Sequence, residues 1–320
     1  MIEYILFFLG IFFLIKSADL IIESSISLAR KLKVSALVIG LTVVAFGTSL
    51  PELIVNLFAA FNNSPEIVFG NIVGSNIANI TLVLGIVAVI SSVKVKTETI
   101  WKQIPFALLA AFILFFMSSD AIFGVEDHFL TFGDGLILLS LFTIFIYDIF
   151  KSSKKGNQEI SHFEKNRAPE KNKDIFIKLL LGFIGIYFGG KWVVSGAVFI
   201  ASQFGFSEFL ISATIIAFGT SLPELVVSIV AALRKNIDLA VGNVVGSNVF
   251  NIFWVLGIVP LINPLKIPSF IAFDIAVMFF VTLLLFISMF TGKRHQIRRK
   301  EGAFFIFLYV LYISSILIRG

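Results

Sequence analysis

The stretch AFGTSLPE occupies residues 45–52 and occurs again, letter for letter, at residues 217–224. Each copy lies inside a long apolar segment and brings a proline, a glutamate and two hydroxyl-bearing residues into it. Identical polar motifs inside two apolar segments indicate a fold built from two related halves. They also indicate that the motifs themselves carry the chemistry of the protein.

The composition predicts a membrane protein. The chain has 320 residues, of which 58% are apolar and 14% are charged, and its mean hydropathy is +1.00. Soluble domains carry roughly 25% charged residues, and a membrane-spanning helix needs about 20 apolar ones. We therefore predict an all-α integral membrane protein with ten transmembrane helices. The predicted spans are at about 2–29, 35–60, 67–91, 101–119, 129–150, 176–201, 207–232, 239–263, 268–290 and 301–318.

A polar linker at residues 151–175 separates the predicted halves, 1–150 and 176–320. Lys and Arg favour the cytoplasmic side of a membrane, and the loops on the linker's side are rich in both, whereas the opposite loops hold Lys266 and Arg319. We therefore predict a multi-pass protein of the plasma membrane with a cytoplasmic linker and both termini outside. The cationic residues on the linker's side are Arg30, Lys31, Lys33, Lys94, Lys96, Lys102, Arg234, Lys235 and those between Lys293 and Lys300.

A shift of 172 residues aligns 42–85 with 214–257 without a gap, and 24 of these 44 positions are identical. The two repeats cover about 40–85 and 212–257. Each predicted half has five spans, an odd number, so the second copy must enter the membrane from the opposite side. This arrangement predicts two inverted five-helix repeats. Duplication kept for packing alone would explain repeated Leu and Val, but not identical polar residues between diverged apolar ones.

The prolines of the repeated motif should interrupt their helices. Pro51 has no N–H, so the carbonyl of Gly47 loses its helical partner, and Pro223 does the same to Gly219. Carbonyls freed in this way are tolerated in a membrane where they line a cavity or hold an ion.

The glutamate that follows each proline needs a partner. A carboxylate at mid-membrane costs roughly 2.5–3.5 kcal/mol on insertion scales. Lys16 and Lys191 lie in other spans than Glu52 and Glu224 and nearer to helix ends. A bound cation is therefore the better partner for the two carboxylates.

A second repeated motif, GNxVGSNxxN, supplies further oxygens at residues 70–79 and 242–251. On a helix, Asn71, Ser75 and Asn79 form one polar stripe, although hydrogen bonding between helices is an alternative role for the amides. Glycines four residues apart in the same motif let another backbone approach closely. The second copy repeats the stripe at Asn243, Ser247 and Asn251, and its glycines are Gly242 and Gly246.

The donor set favours a hard cation. The chain has no cysteine, and its three histidines, His128, His162 and His295, fall in predicted loops. Ca²⁺ takes roughly six to eight oxygen ligands, whereas zinc and copper prefer imidazole or thiolate. Two carboxylates with amides and hydroxyls therefore select Ca²⁺, Na⁺ or protons.

At these motifs the sequence closely resembles the sodium/calcium exchanger branch of the cation/calcium antiporters, whose two alpha repeats carry the paired blocks. The resemblance implies a membrane antiporter, not an enzyme, that exchanges Na⁺ for Ca²⁺ by alternating access as the first and sixth spans slide. Both ions are implied substrates that share Glu52 and Glu224, and no cofactor is expected. The backbone carbonyls of Thr48 and Thr220 are implied to complete the calcium site. The resemblance also implies flanking sodium sites, which draw on Ala45, Ser49 and Ser75 with one half and on Ala217, Ser221 and Ser247 with the other. The fourth-corner positions of the family's binding site fall on Asn79 and Asn251.

One position departs from the resemblance. Archaeal exchangers of this type carry Asp where this chain has Asn251, so a titratable group is lost and two carboxylates remain. The change argues against potassium-dependent exchange.

Three other functions compete with this prediction. A H⁺/Ca²⁺ antiporter of the same fold would use protons to neutralise both glutamates, but the Thr, Ser and Asn oxygens favour Na⁺. Inverted repeats with a charge-gated site argue against a cation channel. An intramembrane enzyme pairing Glu52 with Ser49 is disfavoured by the duplicated symmetry. The expected partners are Ca²⁺, Na⁺ and the lipid bilayer, without nucleic acid or an obligatory protein partner.

Overall fold

The computed structural model describes residues 2–97, 99–118, 128–153, 171–205, 219–268, 271–291 and 295–319. Helices dominate these residues, and their bounds follow the predicted spans closely. The helices are α1 (Ile2–Leu32), α2 (Ala36–Thr48), α3 (Leu50–Phe61), α4 (Pro65–Ile90), α5 (Thr99–Met117), α6 (Phe132–Ser153), α7 (Asn172–Gln203), α8 (Leu222–Leu233), α9 (Ile237–Ile262), α10 (Ala272–Ser288) and α11 (Arg299–Arg319).

Helix length and composition identify a multi-pass membrane protein. Within the described ranges, seven helices are long and apolar enough to cross a bilayer, and the bent pair α2–α3 makes an eighth candidate. These seven are α1, α4, α5, α6, α7, α9 and α11. Helices α8 and α10 are apolar but shorter, with 12 and 17 residues. The first part of the predicted seventh span, at 207–218, and most of the linker, at 154–170, lie outside the described residues.

The predicted interruption of the motif helix is confirmed. Between α2 and α3 the chain bends by 41° at Ser49, whose φ of −86° and ψ of 3° depart from helical values. Pro51 then lies in the first turn of α3, where an N–H would have no helical partner. In the second copy Ser221 has nearly the same angles, −82° and 0°, and α8 begins at Leu222.

Helices α4 and α9 form the centre of the molecule. In the most apolar part of each of these two helices 78% of the residues are buried, whereas the same fraction in α11 is 11%. Glycines bring α9 against α2: a Cβ on Gly242 would lie 2.7 Å from the carbonyl oxygen of Leu37, and one on Gly246 would lie 2.7 Å from Ala45 Cβ. The predicted close approach is therefore confirmed for this copy. In the first copy a Cβ on Gly70 or Gly74 would meet no described atom within 4 Å, and residues 206–218, which correspond to the first part of α2 under the repeat, lie outside the described ranges.

Helices α1 and α7 pack as a pair that lies against the repeated motif. Their backbones meet at Gly10 and Gly189, where a Cβ on Gly10 would lie 2.9 Å from the Gly189 carbonyl oxygen. The ring of Phe183 in α7 fills the space beside Gly47, where any side chain would collide with it.

Loop contacts define two faces of the molecule. Strand β1 (Val93–Lys94) pairs with β4 (Gln296–Ile297), and Lys96 forms an ion pair of 2.7 Å with Asp238. Strand β2 (Phe129–Leu130) pairs with β3 (Leu265–Lys266), and Asn263 Nδ2 donates to Asn63 Oδ1 over 2.6 Å. We call the side that carries β1, β4 and the Lys96–Asp238 pair the 91–97 face. We call the side that carries β2, β3 and the Asn263–Asn63 bond the 61–66 face. Helix α4 runs from the 61–66 face to the 91–97 face and α9 runs the opposite way, so the two central helices are antiparallel.

The 91–97 face is basic. A cavity of about 280 Å³ is lined there by four cationic residues from three segments, together with Asp238. Arg234 on the same face pairs with Asp19 over 2.6 Å and Glu23 over 3.1 Å, both in α1. Loops that the Lys and Arg pattern assigns to one side therefore do share a face. The cationic residues at the cavity are Arg30, Lys94, Lys96 and Lys235.

Candidate cation-binding site

Two glutamates are buried where the motif helices restart. Glu52 lies in the first turn of α3 and Glu224 in the first turn of α8, and both side chains are 0% exposed. Among the described residues no Lys or Arg forms an ion pair with either one. Two buried acidic side chains therefore lie in the described part of the molecule without a cationic side chain to balance them.

Hydroxyl groups hold one oxygen of Glu224. Ser247 in α9 donates to Glu224 Oε1 over 3.3 Å, and Ser49, at the break in the other motif, donates to it over 3.4 Å. The second oxygen, Oε2, has no hydrogen-bond partner in the described ranges. One half of the molecule thus positions the carboxylate of the other half.

Each motif threonine contacts the polar stripe of the opposite repeat. Thr48 Oγ1 donates to Asn243 Oδ1 over 3.0 Å, and Thr220 Oγ1 donates to Asn71 Oδ1 over 2.8 Å. Hydrogen bonding between helices, the alternative role for these two amides, is therefore what the structure shows. The neighbouring stripe serines complete the contacts, with Ser247 Oγ 3.4 Å from Thr48 Oγ1 and Ser75 Oγ 3.4 Å from Thr220 Oγ1.

Four asparagines meet between α4 and α9. Asn79 Nδ2 donates to Asn248 Oδ1 over 3.0 Å, and Asn251 Nδ2 donates to Asn76 Oδ1 over 3.4 Å. The two bonds are equivalent under the 172-residue repeat, so each predicted corner residue is held by an amide of the other half. Their own Oδ1 atoms are buried without a partner among the described residues.

Asn76 and Asn248 are residues of the candidate site that the predicted polar stripe does not include. Both belong to the repeated GNxVGSNxxN motif and are identical in its two copies, which was an available signal. The spacing argument followed residues three or four positions apart on one helical face. Asn76 and Asn248 each lie one residue beyond the stripe serine, about 100° around the helix, and so fell outside that face.

Widened helical turns begin beside the corner asparagines. Residues Asn79–Val83 and Phe250–Val255 form π-helical turns, as do Gly40–Val44 just before the first motif. Such turns are rare and occur frequently at functional sites.

The site is distinguished by buried oxygens that no described protein group satisfies. A buried acceptor without a donor costs about 1–3 kcal/mol, and a cation removes that cost for several acceptors at once. Within the described residues, no three His, Cys, Asp or Glu side chains converge as a metal cluster. Carboxylate, amide and hydroxyl oxygens of this kind are the ligands that hard cations prefer. The unpartnered oxygens are Glu52 Oε1 and Oε2, Glu224 Oε2, Asn79 Oδ1, Asn251 Oδ1 and Ser221 Oγ.

The remaining predicted ligands are Ala45, Ala217 and the backbone carbonyls of the two motif threonines. Ala45 is fully buried beside the α2–α9 contact. Ala217 lies outside the described residues. The roles assigned to the backbone carbonyls of Thr48 and Thr220 stay predictions.

The chain is similar in sequence to a family of known membrane proteins. A family model described as sodium/calcium exchanger protein matches residues 2–151 and 175–317. The putative antiporter CaxA of Alkalimonas amylolytica is 36% identical over 309 residues, which cover 95% of each chain. Sodium/calcium exchanger MaX1 of Methanosarcina acetivorans is 32% identical over 350 residues, covering 98% of this chain and 97% of its own.

The chain is also similar to solved structures of a sodium-calcium exchanger. The sodium-calcium exchanger NCX_Mj, soaked with 2.5 mM Na⁺ and 0.1 mM Ca²⁺, superimposes with a TM-score of 0.80 at 34% identity. The match covers 98% of both chains. A more distant relative, the Ca(2+)/H(+) antiporter ChaA of Bacillus subtilis, is 26% identical over 65% of this chain and 62% of its own.

Proposed function

The chain belongs to the sodium/calcium exchanger family, and on that basis we propose that it exchanges Na⁺ for Ca²⁺ across the membrane by alternating access. Both ions are substrates that compete for Glu52 and Glu224, and no cofactor takes part. The observation that carries the proposal is the set of buried, unpartnered oxygens contributed by both halves. No other described group is positioned to satisfy them.

Charge balance gives the coupling. An empty site leaves two carboxylates in a medium of low dielectric, and this opposes the change of access. One Ca²⁺ or several Na⁺ neutralise Glu52 and Glu224, so a loaded site is free to close. Because both ions need the same oxygens, they replace each other and do not bind together. The hydroxyls of Ser49 and Ser247, which hold Glu224 Oε1, keep that carboxylate aimed at the ion.

Alternating access is assigned to the α1–α7 pair moving across the rest of the molecule. The glycine contacts between the two helices support their movement as a unit. Phe183 of α7 lies beside Gly47, so a displacement of the pair changes the surroundings of the first motif directly.

We assign the chain ten transmembrane helices in two inverted five-helix repeats. Seven long helices and the α2–α3 pair supply eight spans, α10 a ninth, and α8, which lies within the seventh predicted span, a tenth. The antiparallel course of α4 and α9 supports inversion of the repeats. The halves are 1–150 and 176–320, joined by the linker at 151–175.

The orientation follows from charge. The basic 91–97 face is assigned to the cytoplasm together with the linker, and the 61–66 face and both termini to the outside of the plasma membrane. No obligatory protein partner is assigned.

A H⁺/Ca²⁺ antiporter is the second candidate, favoured by one observation: each motif buries an acidic side chain, and Ser49 of the first motif donates to Glu224 of the second. Protons would replace Na⁺ as the ions that neutralise them. A proton, however, gives no account of the unpartnered oxygens on Asn79, Asn251 and Ser221, which a Na⁺ ion would use.

Transport of ⁴⁵Ca²⁺ into proteoliposomes separates the two candidates. Na⁺-loaded vesicles diluted into Na⁺-free buffer are expected to accumulate ⁴⁵Ca²⁺ with no pH gradient. A parallel set carrying only a pH gradient is expected to show no uptake above that of empty liposomes. Uptake in the second set alone would replace Na⁺ by H⁺ as the coupling ion.

A further inference from the structure

Asn56 is a buried polar residue with no role in the account above. It lies on α3, four residues after Glu52, and its side chain is 0% exposed. Residues four apart share one helical face, so Asn56 lies about 6 Å from Glu52 along the axis toward the 61–66 face. Its Oδ1 and Nδ2 atoms both lack a hydrogen-bond partner among the described residues, as do both oxygens of Glu52.

The matching position in the other half is satisfied. Ser228 corresponds to Asn56 under the 172-residue repeat, and its Oγ accepts from Asn243 Nδ2 over 3.1 Å. Asn243 Nδ2 also lies 3.4 Å from the backbone oxygen of Glu224, and its Oδ1 accepts from Thr48. Every polar atom of the Asn243 side chain therefore has a partner.

In the first half, the corresponding amide nitrogen lacks these hydrogen bonds among the described residues. Asn71, which matches Asn243, has its Oδ1 bonded to Thr220, but its Nδ2 is buried without a partner in the described ranges. Asn56, Asn71 and Glu52 together bury five unpartnered polar atoms. Buried polar groups of this kind are normally satisfied by protein, by water or by an ion. A negative carboxylate next to an amide oxygen selects a cation.

We propose that Glu52 and Asn56 Oδ1 form an outer cation subsite, which holds a partly hydrated Ca²⁺ on the 61–66 side of the central site. A carboxylate and an amide carbonyl are both ligands that Ca²⁺ takes in proteins, with water completing the shell. The subsite exists in one half only, because Ser228 closes the equivalent space in the other. It rests on the proposed exchange of Ca²⁺ and adds a residue specific to Ca²⁺ arriving from the 61–66 face.

The rival arrangement is a protein-only bond in which Asn56 Nδ2 donates to the Glu52 carboxylate. The two arrangements respond oppositely to Asn56→Asp. A carboxylate at position 56 strengthens a cation subsite, whereas it would repel Glu52 if the amide served only as a donor.

Equilibrium binding of ⁴⁵Ca²⁺ to the purified full chain tests the subsite. For Asn56→Asp we expect Ca²⁺ to bind about tenfold more tightly, and for the apolar, similarly sized Asn56→Leu about tenfold more weakly, the scale of one charge-assisted contact. Asn62→Asp, on the exposed loop of the same face, adds the same charge outside the subsite and is expected to leave the affinity within about twofold. Thermal melting of each variant shows that it is folded.

Sidedness supplies a second readout. In oriented proteoliposomes, Asn56→Asp and Asn56→Leu should each change the half-saturating Ca²⁺ concentration relative to wild type when Ca²⁺ is presented at the 61–66 face. When Ca²⁺ is presented at the 91–97 face, that concentration should equal the wild-type value. Weaker or unchanged Ca²⁺ binding in Asn56→Asp would overturn the subsite, and so would equal effects at both faces. Because these comparisons are made against a wild-type chain that binds and exchanges Ca²⁺, failure of the proposed function would appear separately, as absent wild-type exchange.

Discussion

Asn251 donates its Nδ2 to Asn76 Oδ1 and leaves its own Oδ1 buried without a partner among the described residues. The amide gives the site an acceptor while adding no charge. A carboxylate there would raise the negative charge of the site from two to three, and its second oxygen would face the Asn76 oxygen unless that amide turned over. We therefore expect this position to influence the balance between divalent and monovalent ions.

Asn251→Asp is expected to tighten Ca²⁺ binding about tenfold relative to Na⁺, since a third carboxylate favours the divalent ion. The gain requires the charged form of the new side chain, so it is present at high pH and lost as the pH falls through its pKa. Wild type, with Asn, should lack this additional pH dependence. ⁴⁵Ca²⁺ binding measured across pH checks the prediction.

Asn251→Leu is the matched control, because it removes the acceptor at similar volume and adds no charge. Weaker Ca²⁺ binding in this variant would support a ligand role for Oδ1. If both variants bind Ca²⁺ as wild type does, position 251 lies outside the ion's coordination shell.

The sequence identified the site's charged and hydroxyl residues because they stand out in apolar segments and recur at one offset. It did not separate ligands from residues that hold ligands. Asn71 and Asn243 are engaged by the motif threonines, whereas the Oδ1 atoms of Asn79 and Asn251 are left without partners. That distinction depends on which amide edge faces the other half, and one-dimensional spacing carries no such information.

At the scale of elements, proline made the helix break predictable, since a missing N–H has one structural consequence. The π-helical turns were not predicted, because their sequences differ between Asn79–Val83 and Phe250–Val255 and carry no breaker residue. A close approach of some other backbone to α9 was predictable from glycine spacing. The partner helix was not, because that spacing names no neighbour.

Gly242→Ala is expected to push α9 away from α2, because the new methyl group would lie 2.7 Å from a backbone oxygen that cannot move independently. Overpacking of this kind typically costs about 1–3 kcal/mol. The separation should also lengthen the bonds that Thr48 and Glu224 make with α9. A lower melting temperature together with weaker Ca²⁺ binding would show the effect.

Gly133→Ala serves as its control, since Gly133 is exposed at the start of α6 and the nearest atom to its added Cβ is 3.7 Å away. It should leave melting and Ca²⁺ binding unchanged. A Gly242→Ala protein with wild-type melting and binding would show that the α2–α9 contact does not support the site.

At the scale of the whole molecule, the two faces follow from pairings between loops far apart in sequence. Lys and Arg counts predicted which loops share a face, but not that short strands and the Lys96–Asp238 pair join them. Such pairings arise from three-dimensional neighbours, and single segments give no sign of them. The compartment that each face meets stays a prediction.

The absence of cysteine from the sequence makes that orientation testable by labelling. Asn62→Cys places one thiol on the 61–66 face, and Lys94→Cys places one on the 91–97 face, both at exposed positions. In intact cells a membrane-impermeant maleimide should label Asn62→Cys alone, and permeabilised cells should label both. The reverse pattern would invert the proposed topology, and unlabelled wild type controls for specificity.

The central claim is that Ca²⁺ and Na⁺ compete for one site built on Glu52 and Glu224. Equilibrium binding of ⁴⁵Ca²⁺ to the purified protein, titrated with Na⁺, tests it most directly. We expect saturable Ca²⁺ binding that Na⁺ displaces with a steep concentration dependence, and loss of that binding in Glu52→Gln and in Glu224→Gln with melting retained. Undiminished Ca²⁺ binding in folded Glu52→Gln and Glu224→Gln proteins, or binding indifferent to Na⁺, would contradict the account.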